Sequence, residues 1–447
     1  MSKKIYTLIT ILMVFAIFLT ACAPKDTAPS SSDGASNEPA AAEEVTLRVL
    51  VHQNPPMVEF MEAFNKSFSE KYPNVTVDMS VVNANDLSTV TQTRLTANDI
   101  DVIDIFGFAN GAQPYMKMVD KPNWQQLIEA GLLLDISDQA FVKNYDQPTI
   151  DDAGSFDGKV YAVNLGRVSY SGIYYNKDLF AANNVTVPTT WGELVSACET
   201  FTAAGTPCMT AGGKDGWPIF VGAYGLTGAI YPDQAALVEG LWTGTIKWND
   251  AKALDMWEKM KVYAQDMMEP GASGVAGDAA PGRFASGAVA MFPGGTWYAS
   301  AIEAAEPAFD WGYIPFPGSD NADDNKYLFG KYDQGWAIAA NTPNKEAAIN
   351  YLAEFSTPEN YQAFANAVGF IPTQPTATLD TKIGAEVAPY LANFRVGYEQ
   401  YWVAPKGAGQ FANPWASYFS PFGTYDDAKE LADKVQADLQ SGLDAVK

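Results

Sequence analysis

Aromatic rings, carboxylates and amides carry nearly all the recognition chemistry this chain offers: 11 Trp, 22 Tyr and 52 Asp plus Glu stand against one His and 3 Cys. A ring presents an apolar face, and a carboxylate or amide hydrogen-bonds to hydroxyls. Set together in a cleft, the two kinds hold a polyol by its faces and its edges. A large ring is more often core than platform, so position must single out the candidates. Trp217 stands in the Gly-rich run Gly212-Gly-Lys-Asp-Gly-Trp-Pro218, where little apolar periodicity demands it. Trp297 follows Gly294-Gly295 at a predicted helix start, where exposed backbone N–H groups meet ligand oxygens. Trp336 follows Tyr332-Asp333-Gln334-Gly335 at a strand start, and Trp402 and Trp415 lie in the aromatic stretch from Phe394 to Phe422. For hydrogen bonds the candidates are Gln53, Asn110, Gln113 and Asp333. Arg167 pairs either with a charged substituent such as a uronate or with one of the many acids.

The same inventory excludes much. One histidine, His52, and 3 cysteines cannot assemble the usual His/Cys zinc or copper sites. Serine-histidine or cysteine-histidine catalysis would have to run through His52. No motif places an acid beside an activated nucleophile, so the chain reads as a non-enzyme needing no cofactor. An exported glycosidase with two spaced carboxylates remains an alternative. The formal charge of -24, with no Lys/Arg cluster after the N-terminus, makes nucleic acid and anionic lipid poor partners for the body.

The ends of the chain set its address. Lys3 and Lys4, the apolar run Ile5 to Leu19, and Leu19-Thr20-Ala21-Cys22 form a secretory signal too short for a comfortable membrane span. Leu19 to Cys22 resembles a lipobox, the bacterial lipoprotein processing signal; the resemblance implies that residues 1–22 end at a lipidated Cys22 and that the mature chain is anchored to the cell membrane, facing outward. Residues 23–44, Ala, Pro, Ser, Asp and Glu without a large apolar side chain, form a flexible tether. With Cys22 assigned to lipid, Cys198 and Cys208 remain as an even pair, either bridged or two free buried thiols.

The elements that must position the site alternate. Val45 to Val51 is a predicted strand, Met57 to Lys71 a helix, Val75 to Val82 a strand, Thr89 to Ala97 a helix and Ile100 to Phe106 a strand. Strands separated by helices imply a mostly parallel sheet, with ligands at its carboxyl ends. The loops there are His52 to Pro56, Asn83 to Asp86 and Phe106 to Gln113. Thr190 with Glu193 predicts a capping box at the start of a long helix. A strand over Gly335 to Ala340 and a helix over Asn344 to Glu354 follow.

Six stretches in order, Gly131-Leu-Leu-Leu-Asp-Ile-Ser137, Phe156-Asp-Gly-Lys-Val-Tyr-Ala-Val163, Gly172-Ile-Tyr-Tyr-Asn-Lys-Asp-Leu-Phe180, Pro188-Thr-Thr-Trp-Gly-Glu-Leu194, Phe284-Ala-Ser-Gly-Ala-Val-Ala-Met291 and Gly369-Phe-Ile-Pro372, resemble the extracellular solute-binding proteins of bacterial ABC importers, in the sugar-binding, maltose-binding-like group. Asn164 stands where that family commonly has proline. The resemblance implies an α/β, two-lobed periplasmic-binding-protein-like fold of class II type, with three hinge crossings near Tyr170, Pro293 and Asn341. Lobe one is then 45–170 plus 294–341, and lobe two 171–293 plus 342–447. It implies a monomer that closes on a carbohydrate and delivers it to membrane permease subunits. The alternative cargo is a polyamine, phosphate ester or other small solute; for a polyamine, Asp215, Asp333 and Glu399 supply the charge.

Overall fold

The computed structural model describes residues 43–106 and 111–447. The signal, Cys22, nearly all of the tether and Asn110 lie outside the described residues. Val45–His52 pairs in parallel with Val75–Val82 on one side and Val102–Phe106 on the other. Flanked on both sides and covered on both faces, it buries Leu47, Val49, Leu50 and Val51 almost completely, which is why it reads as a continuous apolar run. Helix Pro55–Lys71 follows at once: the Asn54 side chain accepts from the Met57 N–H, and proline at the first turn gives up only an N–H that needs no partner. Its buried face, Met57, Met61, Phe64 and Phe68, follows the helical repeat.

The sheet is completed by two antiparallel strands, Gln334–Ile338 beside the third strand and Ala162–Asn164 at the edge. The expected mostly parallel sheet is therefore mixed. A second sheet joins Trp311–Pro315, Gly172–Asn176 and Met291–Pro293, all antiparallel. Against it packs helix Pro218–Ile230, buried along nearly its whole length. A third small sheet, Phe394–Val396, Leu328–Tyr332 and Arg167–Ser169, lies where the chain passes from one body to the other. The molecule is thus a two-lobed α/β fold.

Two segments sit elsewhere than the expected division has them. Trp311–Pro315, assigned to lobe one, is hydrogen-bonded to Gly172–Asn176 of lobe two. Helices Lys345–Phe355 and Pro358–Val368, assigned to lobe two, pack on helix Pro55–Lys71 of lobe one. Helical and strand periodicity identify an element but not the sheet that receives it. Local signals fare better. The Thr190 hydroxyl accepts from the Glu193 N–H at 3.3 Å, and the Glu193 carboxylate accepts from the Thr190 N–H at 3.2 Å, at the head of helix Trp191–Ala203. Cys198 on that helix is bridged to Cys208.

Candidate functional site

Between the lobes lies a cavity of about 460 Å³. One wall comes from loops and helix starts that follow strands of the first sheet, with Gln53, Asn54, Asn85, Ser88 and Asn123. The facing wall is aromatic, with Tyr170, Trp217, Phe220, Trp297 and Trp415. Gly216, at φ 77, turns the chain so that Trp217 sits just ahead of helix Pro218–Ile230, whose first turn supplies Phe220. Trp297 stands in the short turn Thr296–Tyr298 after Gly295; a Cβ on Gly295 would fall 1.7 Å from the Trp297 ring, so only glycine lets the indole lie there. The two indoles have centroids 6.2 Å apart, and Trp297 meets Tyr170 edge-on at 5.1 Å.

The floor is charged, with Lys331 and Asp333 largely enclosed and Glu399 reaching toward water. Lys331 Nζ lies 3.2 Å from Asp333 Oδ1 and 3.2 Å from Glu399 Oε2, beneath the Tyr170 ring. Burial alone would lower the Lys331 pKa; the carboxylate of Glu399, with Tyr170 and Asp333, outweighs it and holds the ammonium well above the ordinary lysine value. Burial raises Asp333 more than Lys331 lowers it. Asp333 and Glu399 have Lys331 as their cation, while buried Gln334 Oε1 has no hydrogen-bond donor. The floor thus offers acceptors to hydroxyl groups.

Beside it, His52 Nδ1 lies 2.5 Å from Asp104 Oδ2, which also accepts from the His52 N–H at 3.1 Å. Gln334 Nε2 is 3.1 Å from the imidazole nitrogens. Across the mouth, Gln53 Nε2 donates to Asp278 Oδ2 at 2.6 Å, joining the two lobes. Asp215 holds the turn that carries Asp278, accepting from the Gly277 N–H at 2.6 Å.

Of the residues singled out in the sequence, Trp217, Trp297, Trp415, Gln53 and Asp333 line the cavity. Trp336 does not: it is mid-strand and fully buried, its ring edge-on to Tyr351 and Phe355 of the covering helix. Trp402 stacks on Tyr398 at 5.2 Å, outside the lining. Gln113 lines a separate shallow cleft with Asp151 and Asp152 and donates to the Gly111 carbonyl. Arg167 packs its guanidinium 5.1 Å from the Phe394 ring, so the uronate pairing has no cation in the lining from this residue. Lys331, Asp278, Gln334, Phe220, Asn85 and Ser88 were not singled out, and Glu399 only for an amine cargo. Asn85 lies within the loop Asn83 to Asp86 marked at a strand end and Ser88 just beyond it, in the first turn of the next helix; Lys331 and Gln334 lie on strands and Phe220 on a helix, where no local signal marks them.

Residues 54–362 match the family model described as bacterial extracellular solute-binding protein. A "Multiple sugar-binding protein" of Streptococcus mutans is 25% identical over 374 residues, covering 82% of this chain and 81% of that one. Among solved structures, the fold is similar to a solute-binding protein, RafE, in complex with raffinose, with a TM-score of 0.73 and 21% identity over 89% of this chain and 99% of that one. It is also similar to a chitin oligosaccharide binding protein, with a TM-score of 0.72 and 20% identity over 90% and 99% of the two chains.

Proposed function

The chain belongs to the bacterial extracellular solute-binding proteins, and we propose that it captures an oligosaccharide between its lobes and passes it to the permease subunits of an ABC importer. The observation that carries this reading is the pairing of cleft walls: an aromatic wall for the C–H faces of sugar rings, and a facing wall and floor of amides and acceptors for their hydroxyls. The sugar-binding relative and the raffinose-bound neighbour support the same cargo class. The carboxylates named for an amine cargo already have partners, since Asp333 and Glu399 share Lys331 and Asp215 accepts from the Gly277 N–H, which favours a sugar over a polyamine.

The protein acts as a monomeric receptor without catalysis. In this reading the chain crosses near Tyr170 but not near Pro293 and Asn341: Trp311–Pro315 stays with the second sheet, Gln334–Ile338 and helices Lys345–Phe355 and Pro358–Val368 belong to the first lobe, and helix Lys382–Val387 packs back on Trp311–Pro315, so the other two crossings fall between Pro315 and Gln334 and between Val368 and Lys382. Lipid on Cys22 keeps the receptor at the outer face of the membrane, and the tether raises its effective concentration at the transporter.

Thermal unfolding against a panel of neutral oligosaccharides, uronates and polyamines tests the cargo. A ligand of the folded state at a hundredfold excess over its Kd stabilises by about 2.7 kcal/mol. A shift with polyamine and none with any sugar refutes the reading; sugar cleavage products would convert it to the glycosidase alternative.

A further inference from the structure

Four aromatic rings continue outward from the hinge in near-parallel planes. Tyr170 and Phe220 have centroids 6.2 Å apart at 22°, Phe220 and Trp415 5.7 Å at 25°, and Trp415 and Tyr418 6.0 Å at 27°. At such separations near-parallel rings are strongly offset, so each leaves much of a face uncovered by its neighbour. Trp217 and Trp297 close a compact group with Tyr170 and Phe220 at the inner end. Trp415 joins that group through Phe220.

Trp415 differs from the inner rings in exposure. It is 36% exposed, the one aromatic among the exposed large hydrophobic side chains of the described residues. Its neighbours Ala416 and Phe419 are fully buried, and the turn Ala416–Tyr418 fixes the loop on which it sits. The indole is thus left in contact with solvent on a loop whose neighbouring side chains are buried or half-buried, and it lines the cleft, where an apolar ring face is available to a ligand. This is also the aromatic stretch that the six matching motifs leave unaccounted for.

Building on the oligosaccharide reading, we infer that the cargo is a linear chain of three or more sugar rings, with Trp415 the platform for the ring farthest from the hinge. A mono- or disaccharide is satisfied on Trp217 and Trp297 and does not reach Trp415. A longer chain passes over Phe220 and ends on the exposed indole. Trp415 therefore sets the length preference, while the inner rings and the charged floor set the orientation.

The test is isothermal titration of the purified full chain with two length series: sucrose, raffinose and stachyose, and the chitin di-, tri- and tetrasaccharides. In the series that binds, affinity rises with length. Trp415→Ala lowers tetrasaccharide affinity roughly tenfold and leaves the disaccharide within about twofold, whereas Trp415→Phe restores most of the loss. A Trp415→Ala effect that is absent, or equal at every length, overturns the inference while leaving the receptor reading intact. Trp415→Phe as weak as Trp415→Ala also overturns it, because the ring is then not the platform. If neither series binds the wild type, the linear-chain inference falls, and the wider sugar panel decides the reading beneath it.

Discussion

Replacing Lys331 by methionine would leave the Asp333 and Glu399 carboxylates in the cleft floor without their shared cation. Glu399 keeps some contact with water, so the cost lies between that of breaking a buried pair and an exposed one, roughly 2–4 kcal/mol. Urea unfolding should show this loss, and adding Glu399→Gln to Lys331→Met should recover part of it; unchanged stability in the single variant would deny the floor its charge balance. His52 makes a second case. Burial pulls its pKa down, but the Asp104 carboxylate outweighs that and holds it above the ordinary 6.5. The charged imidazole is thus favoured in the folded state. Its stabilisation is fully present below the unfolded value of 6.5 and fades as pH rises through the folded value. The gap in unfolding free energy between wild type and His52→Asn should accordingly narrow as the pH is raised above the ordinary imidazole value of 6.5; a gap that stays constant would exclude the pair as its source. Trp217 and Trp297 were legible in the sequence because glycines isolate them from any apolar repeat. The Lys331 to Glu399 pair was not, since nothing local links residues so far apart in the chain.

Elements were legible to the extent that their signals are local. The Thr190 and Glu193 capping box forms as its spacing predicts, and Thr190→Ala should cost about 1 kcal/mol in chemical denaturation without touching the cleft. What the sequence left open was pairing. Trp311–Pro315 has the alternation of a strand, but only its register with Gly172–Asn176 fixes which lobe owns it, and that bond spans more than a hundred residues. Trp336 failed for a related reason: a residue near a predicted strand start looks accessible until the covering helix Lys345–Phe355 is placed over it. Gly295 shows local geometry reaching the site. A methyl there collides with the Trp297 ring, so Gly295→Ala should push the indole off the aromatic wall. Sugar affinity should fall by roughly tenfold, about 1.4 kcal/mol, with the unfolding midpoint little changed. Titration calorimetry with unaltered affinity would remove Trp297 from the wall's function.

At the scale of the whole molecule, closure has to be cheap enough to reverse and favourable enough to retain cargo. The Gln53 to Asp278 hydrogen bond joins the lobes through protein atoms alone, so it biases the closed form before any sugar contributes. A ligand that binds the closed form has its apparent Kd raised in inverse proportion to the fraction of molecules closed. Loss of the bond should lower that fraction and weaken binding chiefly through faster release, since related complexes differ mostly in dissociation rate. Gln53 also lines the cleft, so its own contact with sugar must be separated from its contact with Asp278. The double variant Gln53→Ala with Asp278→Ala does this: if the bond is what matters, the pair together weakens binding little more than either change alone. Small-angle scattering gives the independent measure. The unliganded variants should show a larger radius of gyration than wild type, and all should converge once saturated with sugar. Equal radii without ligand, together with additive losses of affinity, would mean that the cleft closes on its cargo without help from this contact.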